Sequence, residues 1–319
     1  MTVDLAAISA NVRQLLDRAS PAQLCAVVKS DGYGHGAVPS ARAALDGGAT
    51  WLAVAIPDEG AELRDAGIDT PVLLLDESDD VDAVVANDLV ATVYRERTVH
   101  ELAAAARRAG RRLRVHINVD TGMHRIGVRP DELLALAKTI AATPDVALDG
   151  VHTHCPVADE PANPFTAGQA ARFSASIDEL RAAGIDPGIV HAGNSAATMI
   201  HPELRLDLVR CGIAVYGLDP SPELAGEVAL RPALSWTAPV TNVARIPAGD
   251  AVSYGLRRPL ARDSVVATVP VGYADGMQRR LSDFEVVLGG KRRPIAGTIT
   301  MDRFMVDCGD DEVAVGDEV

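Results

Sequence analysis

The chain has 319 residues, 48% of them hydrophobic and 23% charged, enough to bury a large core and more than one small domain needs. Thirty lysines and arginines against 44 aspartates and glutamates leave a formal charge of −14, which excludes nucleic acid or an anionic membrane surface as the main partner. Any anion-binding site must then be a local feature. The cysteines, Cys25, Cys155, Cys211 and Cys308, form no Cys-x-x-Cys pair, so buried free thiols are expected. The amino terminus has neither the basic start nor the long apolar run of a signal peptide, and no stretch approaches a membrane span, which together predict a cytoplasmic protein.

From residue 25 to about 217, short apolar runs alternate with helical patterns, as repeated βα units do. The runs are 25–29, 51–55, 72–75, 89–94, 113–119, 148–154, 189–193 and 206–216. The pattern over 130–142 opens with Pro130 and two acidic residues, as a helix start should. Eight parallel strands with crossover helices predict a (β/α)8 barrel over 1–222, with an open doubly wound sheet as the alternative. Beyond Gly217 the texture changes. The stretch 219–230 is rich in proline and glutamate, and the runs after it are valine-rich and separated by Gly, Pro and Asp. They predict a β-rich carboxy-terminal domain over 223–319, with strands at 236–245, 264–271, 284–288 and 301–307. The last five residues, Val-Gly-Asp-Glu-Val, break off in mid-pattern, which reads as an incomplete β domain.

If the barrel holds, its chemistry belongs at the carboxyl ends of the strands. Lys29 ends the first run, directly before Ser-Asp-Gly-Tyr-Gly-His-Gly, and a lysine poorly solvated at a strand end is a plausible nucleophile toward a carbonyl. A snorkelling or ion-paired lysine is the ordinary alternative. Asp120 and Arg125 follow the fifth run, His154 ends the sixth, Asn194 and Ser195 follow the seventh, and Arg210 lies on the eighth. Ser195 with Gly212 and Ile213 could cradle a phosphate, as barrel phosphate sites do after strands seven and eight, although an ordinary cap would look the same. His152 and His154 share one face of a strand, but no third residue of suitable spacing completes a metal site. Arg210 could equally be a structural ion-pair partner.

Taken together, Lys29 to Gly36, Asp120-Thr-Gly-Met-His-Arg-Ile-Gly, Thr153-His154, His191-Ala-Gly-Asn-Ser-Ala-Ala, Arg210-Cys-Gly-Ile-Ala-Val-Tyr-Gly, Val252-Ser-Tyr-Gly, Gly272-Tyr-Ala-Asp-Gly and Met301-Asp302 resemble bacterial alanine racemase. One such motif is weak, whereas eight in register along nearly the whole chain are specific. The resemblance implies an isomerase that uses pyridoxal 5'-phosphate and interconverts L- and D-alanine for peptidoglycan. It implies a barrel, a β domain and a homodimer whose active sites take residues from both subunits. By the same resemblance Lys29 holds the cofactor covalently and acts as one catalytic base, and Tyr254 is the other. Tyr33, Asn194, Ser195, Gly212 and Ile213 would lie about the phosphate, Arg210 would face the pyridine nitrogen, and His154 would join Arg210 in a relay to the phenol. Arg125 and the backbone at Met301 would receive the substrate carboxylate, with Tyr273 and Asp302 at the entrance.

Two bases are a physical requirement. Removing and returning the proton on one face regenerates the starting enantiomer, and a phenol with an ordinary pKa of about 10 must be helped to act near neutrality. Two departures from the family stand out. Asn118 occupies the position where many relatives have a carbamylated lysine beside the arginine, so a bound chloride near Asn118 and Arg125 is expected to replace it. Cys211 stands in place of a proline. A serine or broad-spectrum racemase would share every motif. A non-catalytic cofactor carrier would lack Val252-Ser-Tyr254-Gly, and a decarboxylase would need a glycine-rich phosphate segment that is not evident.

Overall fold

The computed structural model describes residues 1–319, which divide into two compact units, Val3–Leu234 and Ser235–Val319 with the first two residues. In the first unit a leading helix, α1 (Leu5–Ala19), starts at Asp4, whose carboxylate caps the Ala7 amide at 3.0 Å. Eight strands follow: β1 (Gln23–Val27), β2 (Trp51–Val54), β3 (Val72–Leu74), β4 (Ala91–Val93), β5 (Leu113–Asn118), β6 (Val146–His152), β7 (Ile189–His191) and β8 (Leu208–Cys211). The helices α2 (Ala37–Asp46), α3 (Pro57–Asp65), α4 (Val81–Ala86), α5 (Glu96–Arg108), α6 (Leu133–Ala141), α7 (Phe165–Ala182) and α8 (Ser195–Ile200) fill the crossovers.

All neighbouring strands are parallel, β1 pairing with both β2 and β8. The seam between β3 and β4 is closed by Val90 N–H to Val72 O and Leu74 N–H to Val90 O, and that between β7 and β8 by Arg210 N–H to Gly193 O. The sheet is therefore a closed barrel and not the open doubly wound alternative. Alternation along each strand sorts its residues. Val115 and Ile117 of the fifth strand, and Val119 just past its end, join the core under the helices, whereas His116 and Asn118 point the other way. One side of the barrel interior is apolar (Cys25, Val27, Trp51, Ala53, Leu73, Leu208) and the other is polar (Thr92, His116, His152, His191, Arg210). That asymmetry places the polar site.

The proline-rich stretch after Gly217 belongs with the barrel, because Leu224, Val228 and Ala233 are buried in its core. The division therefore falls at Leu234 and Ser235 rather than at 222 and 223.

The second unit is a five-stranded antiparallel sheet of β9 (Asn242–Ile246), β10 (Ser264–Val269), β11 (Glu285–Leu288), β12 (Lys291–Ala296) and β13 (Phe304–Asp307), in the order β9-β10-β13-β12-β11. Its core is Val240, Ala267, Val269, Leu288, Ile295, Ile299, Phe304 and Val306. Strand β12, Lys-Arg-Arg-Pro-Ile-Ala, escapes an apolar-run reading, yet it pairs with β11 through a two-residue turn at Gly289 and Gly290. Both glycines have positive φ, 62° and 72°, as such a hairpin requires. All four cysteines are buried and free, and no helix is long and apolar enough to cross a membrane.

Candidate active site

Strand β1 ends at Val27, so Lys29 sits two residues past the strand end, half-buried. The next four residues form one left-handed turn: Ser30 (φ 53°), Asp31 (52°), Gly32 (59°) and Tyr33 (55°). For the three that are not glycine this costs roughly 1–2 kcal/mol each, so the turn must be held from outside. Ser30 N–H donates to Glu59 Oε1 at 2.6 Å, and the other oxygen of Glu59 takes the Ala55 amide at 2.7 Å. Asp31 Oδ1 caps the Ala37 amide at the start of α2, at 2.8 Å. The turn sends the Lys29 amine and the Tyr33 ring into one cavity of about 360 Å³.

Every residue lining that cavity belongs to the barrel unit. Among them are Lys29, Tyr33, Asn118, Arg125, His152, His154, Asn194, Ser195, Arg210, Gly212 and Ile213, so all the barrel positions expected to be functional are brought together. Tyr33 stacks on Tyr216 with centroids 5.0 Å apart, and Tyr216 is anchored by its hydroxyl to Val27 O at 3.0 Å. Partial burial raises the Tyr33 phenol above its ordinary pKa. A Cβ at residue 212 would lie 2.4 Å from the Tyr33 hydroxyl oxygen, so only glycine leaves room for it. Asn194 caps α8 through the Ala197 amide, and Ser195 Oγ accepts from the amides of Gly212 (3.0 Å) and Ala214 (3.4 Å). Hydroxyl and backbone donors thus converge at one end of the cavity.

Arg210 is 4% exposed and has no carboxylate beside it. Its guanidinium donates to His191 Nδ1 (2.7 Å), Thr153 O (2.6 Å) and His154 Nδ1 (3.4 Å). Burial lowers its pKa, but a guanidinium starts high enough to stay charged. It is a buried cation satisfied by neutral acceptors, not the structural ion pair that the sequence left open. His154 is pushed down to about 3, first by burial and then by the charges of Arg210, Arg125 and Lys29, and is therefore neutral. Because its Nδ1 faces an arginine donor, its proton sits on Nε2.

Asp120 folds its own loop by accepting the amides of Gly122 and His124, each at 3.0 Å. Arg172 and Gln169 of α7 grip the same loop through Thr121, leaving Arg125 exposed at the cavity wall. Asn118, 5% exposed, lies on the same wall.

Tyr254, Tyr273, Met301 and Asp302 lie on loops of the second unit. Tyr254 is 71% exposed, and its turn is tied to Thr298, whose hydroxyl donates to Tyr254 O at 3.2 Å. Tyr273 N–H bonds Thr300 O and Ala274 N–H bonds Met301 O, so those two segments are laced together. Gly272 makes this possible, since a Cβ there would lie 2.4 Å from Met301 O.

The residues that sequence reasoning left without a role are His116, His191 and Glu59. Both histidines could have been suspected from alternation, since His116 shares the inward face with Asn118. Glu59 carries no local signal of its distant partner at Ser30.

Two family profiles divide the chain between them: "Alanine racemase, N-terminal domain" matches residues 3–220 and "Alanine racemase, C-terminal domain" residues 233–319. The alanine racemase of Symbiobacterium thermophilum is 47% identical over 99% of this chain and 85% of its own length, and that of Mycobacterium avium is 44% identical over 99% and 83%. Among solved structures, the alanine racemase of a D-cycloserine-producing Streptomyces lavendulae superposes with a TM-score of 0.94 at 42% identity, covering 99% of this chain and 85% of that one. The Bacillus anthracis alanine racemase with bound L-Ala-P gives 0.88 at 40% identity, covering 99% and 83%. With matches of this extent over both units, the chain belongs to the alanine racemase family, and the enzyme class that goes with its fold is an isomerase.

Proposed function

We propose that the protein interconverts L- and D-alanine in the cytoplasm, supplying D-alanine for peptidoglycan, and that it does so with pyridoxal 5'-phosphate in the barrel cavity. The observation that carries the cofactor is the donor set itself. A lysine amine, a tyrosine hydroxyl fitted against a glycine, Ser195 with the Gly212 amide, and a buried guanidinium line one cavity. The residues fit the group: Lys29 would bond its aldehyde carbon, Tyr33, Asn194, Ser195, Gly212 and Ile213 would surround its phosphate, and Arg210 would face its ring nitrogen. When bound there, the cofactor supplies delocalisation of the charge left at the substrate α-carbon. Arg210 would keep the ring nitrogen unprotonated, because a fixed cation with no carboxylate beside it opposes a second positive charge.

Lys29 Nζ then takes or returns the α-proton on one face and Tyr254 Oη on the other. Tyr254 is supplied by a second copy of the chain in a homodimer with shared sites, a reading supported by its exposure and by the lack of any hydrogen bond to its phenol. The neutral His154 offers an Nε2–H donor that would stabilise the phenolate. Arg125 and the Met301 backbone hold the substrate carboxylate, Tyr273 and Asp302 shape the entrance, and Asn118 with a bound chloride steadies Arg125.

The test is a racemisation assay with added pyridoxal phosphate on alanine, serine and lysine. Inversion of alanine far faster than the other two supports the reading, and comparable rates on all three would replace it with a broad-spectrum racemase. No inversion by protein carrying the cofactor would overturn it.

A further inference from the structure

Behind Arg210, away from the cavity, the barrel interior holds polar side chains that no role above uses. His191 Nδ1 takes the Arg210 guanidinium at 2.7 Å, and its Nε2 lies 2.8 Å from His116 Nδ1. His116 Nε2 in turn faces Asp149 Oδ2 at 3.7 Å. Both histidines have zero exposure, and the last two atoms are buried with no hydrogen-bond partner, meeting as a charge contact too long for a hydrogen bond. The position of His116 is built. Its ring packs on Trp51 with centroids 5.5 Å apart, and β6 carries Gly150 beside it, where a Cβ would meet His116 Cε1 at 2.6 Å and Nε2 at 2.7 Å. The register of β5 on β6 shifts at this point, between Val115 and His116, which turns the Asp149 carboxylate toward the ring.

The protons in this row are fixed by one fact, that a guanidinium only donates. His191 must accept on Nδ1, so its single proton is on Nε2, where it donates to His116 Nδ1. His116 must then carry its own proton on Nε2, the atom aimed at Asp149. The opposite sense would set an imidazole N–H against an arginine N–H.

We propose that His191, His116 and Asp149 are positioning residues: the two imidazoles, both neutral with the proton on Nε2, form a one-way hydrogen-bond row from the buried Arg210 that points its last N–H at Asp149, the remote counter-charge. The inference rests on the reading of Arg210 as the group facing the cofactor. The row fixes the plane of the guanidinium without placing an anion beside it, so its charge is expressed toward the cavity. Arg114 also approaches Asp149, at 3.6 Å, and shares that carboxylate from the outer side.

The direct test is nitrogen NMR of protein labelled with ¹⁵N in the histidine rings, with and without pyridoxal phosphate, assigned with His116→Gln and His191→Asn. Nε2-protonated, neutral rings at both positions between pH 6 and 8 are expected. A proton on Nδ1, or a doubly protonated ring, at either position would overturn the row. These spectra need no racemase activity, so they stand or fall separately from the proposed reaction. In the loaded enzyme, His116→Gln preserves an acceptor toward His191 and a donor toward Asp149, whereas His116→Leu preserves neither. The glutamine variant should keep kcat within a few-fold, and the leucine variant should lose about 10–100-fold in kcat with little change in KM. Asp149→Asn, which keeps the acceptor and removes the charge, should leave the tautomers in place and still shift the absorption of the bound cofactor. Equal kinetics for His116→Gln and His116→Leu, or an unshifted band in Asp149→Asn, would contradict the proposal.

Discussion

Arg210 and the imidazoles around it show how much of the chemistry is settled by burial. His116, His152, His154 and His191 all have pKa values below that of an ordinary imidazole, chiefly because burial disfavours the charged ring, with Arg210 adding to the effect. The unfolded chain binds those protons near the ordinary value of about 6.5, while the folded chain resists them. Stability from these residues is therefore complete above about pH 6.5 and is lost as the pH falls below it, by up to about 1.4 kcal/mol per pH unit for each histidine. A urea unfolding midpoint that holds steady from pH 8 to 7 and drops steeply between 6.5 and 5.5 is expected. A flat midpoint across that range would mean that the rings are charged in the folded protein. At this scale the sequence was informative where a residue type announces its chemistry, as Lys29, Arg210 and Ser195 do. It put His116 on the inward face by alternation but gave it no partner, and it was silent on Asp149, which faces His116 from the neighbouring strand.

Among the elements, the left-handed turn after Lys29 departs furthest from local preference. Serine, aspartate and tyrosine do not choose that conformation, and no pattern of residue types at 30–33 predicts it beyond the presence of glycines nearby. It persists because Glu59, from the start of α3, ties down Ser30, Ala55 and, at 3.4 Å, Ile56. Glu59→Ala leaves those amides without a charged acceptor, and loss of one such bond costs roughly 1.5–3 kcal/mol. We expect a lower melting temperature together with weaker retention of pyridoxal phosphate on dialysis, although Glu59 does not line the cavity. A variant that melts and retains cofactor like the parent would show that the turn is held otherwise. The barrel strands, by contrast, were legible one by one, because strands covered by helices outside and side chains inside are short continuous apolar runs. Strand β12 was not, because its lysine and two arginines at the hairpin look like a loop, and Arg293 is buried by donating to Leu288 O and Cys308 O and pairing with Asp311, each at 2.9 Å.

For the whole molecule, the order of motifs along the chain says more than any element does, since motifs from both units had to be read together to indicate a racemase. The composition change near residue 220 marked the end of the βα repeats but not the end of the barrel unit, whose core extends to Ala233. The central claim is that inversion needs Lys29 from the barrel and Tyr254 from the β unit on opposite faces of one carbon. Racemisation has an equilibrium constant of one, so kcat/KM must fall equally in both directions in any variant, and initial rates alone cannot distinguish the two bases. Exchange of the α-proton can. The decisive measurement follows deuterium incorporation into L-alanine and D-alanine separately, in deuterated water, with Tyr254→Phe protein carrying pyridoxal phosphate. One enantiomer should exchange its α-proton through Lys29 with its configuration retained, while the other stays nearly inert. Equal slowing of exchange for both enantiomers, or inversion at the parent rate, would contradict the two-base account.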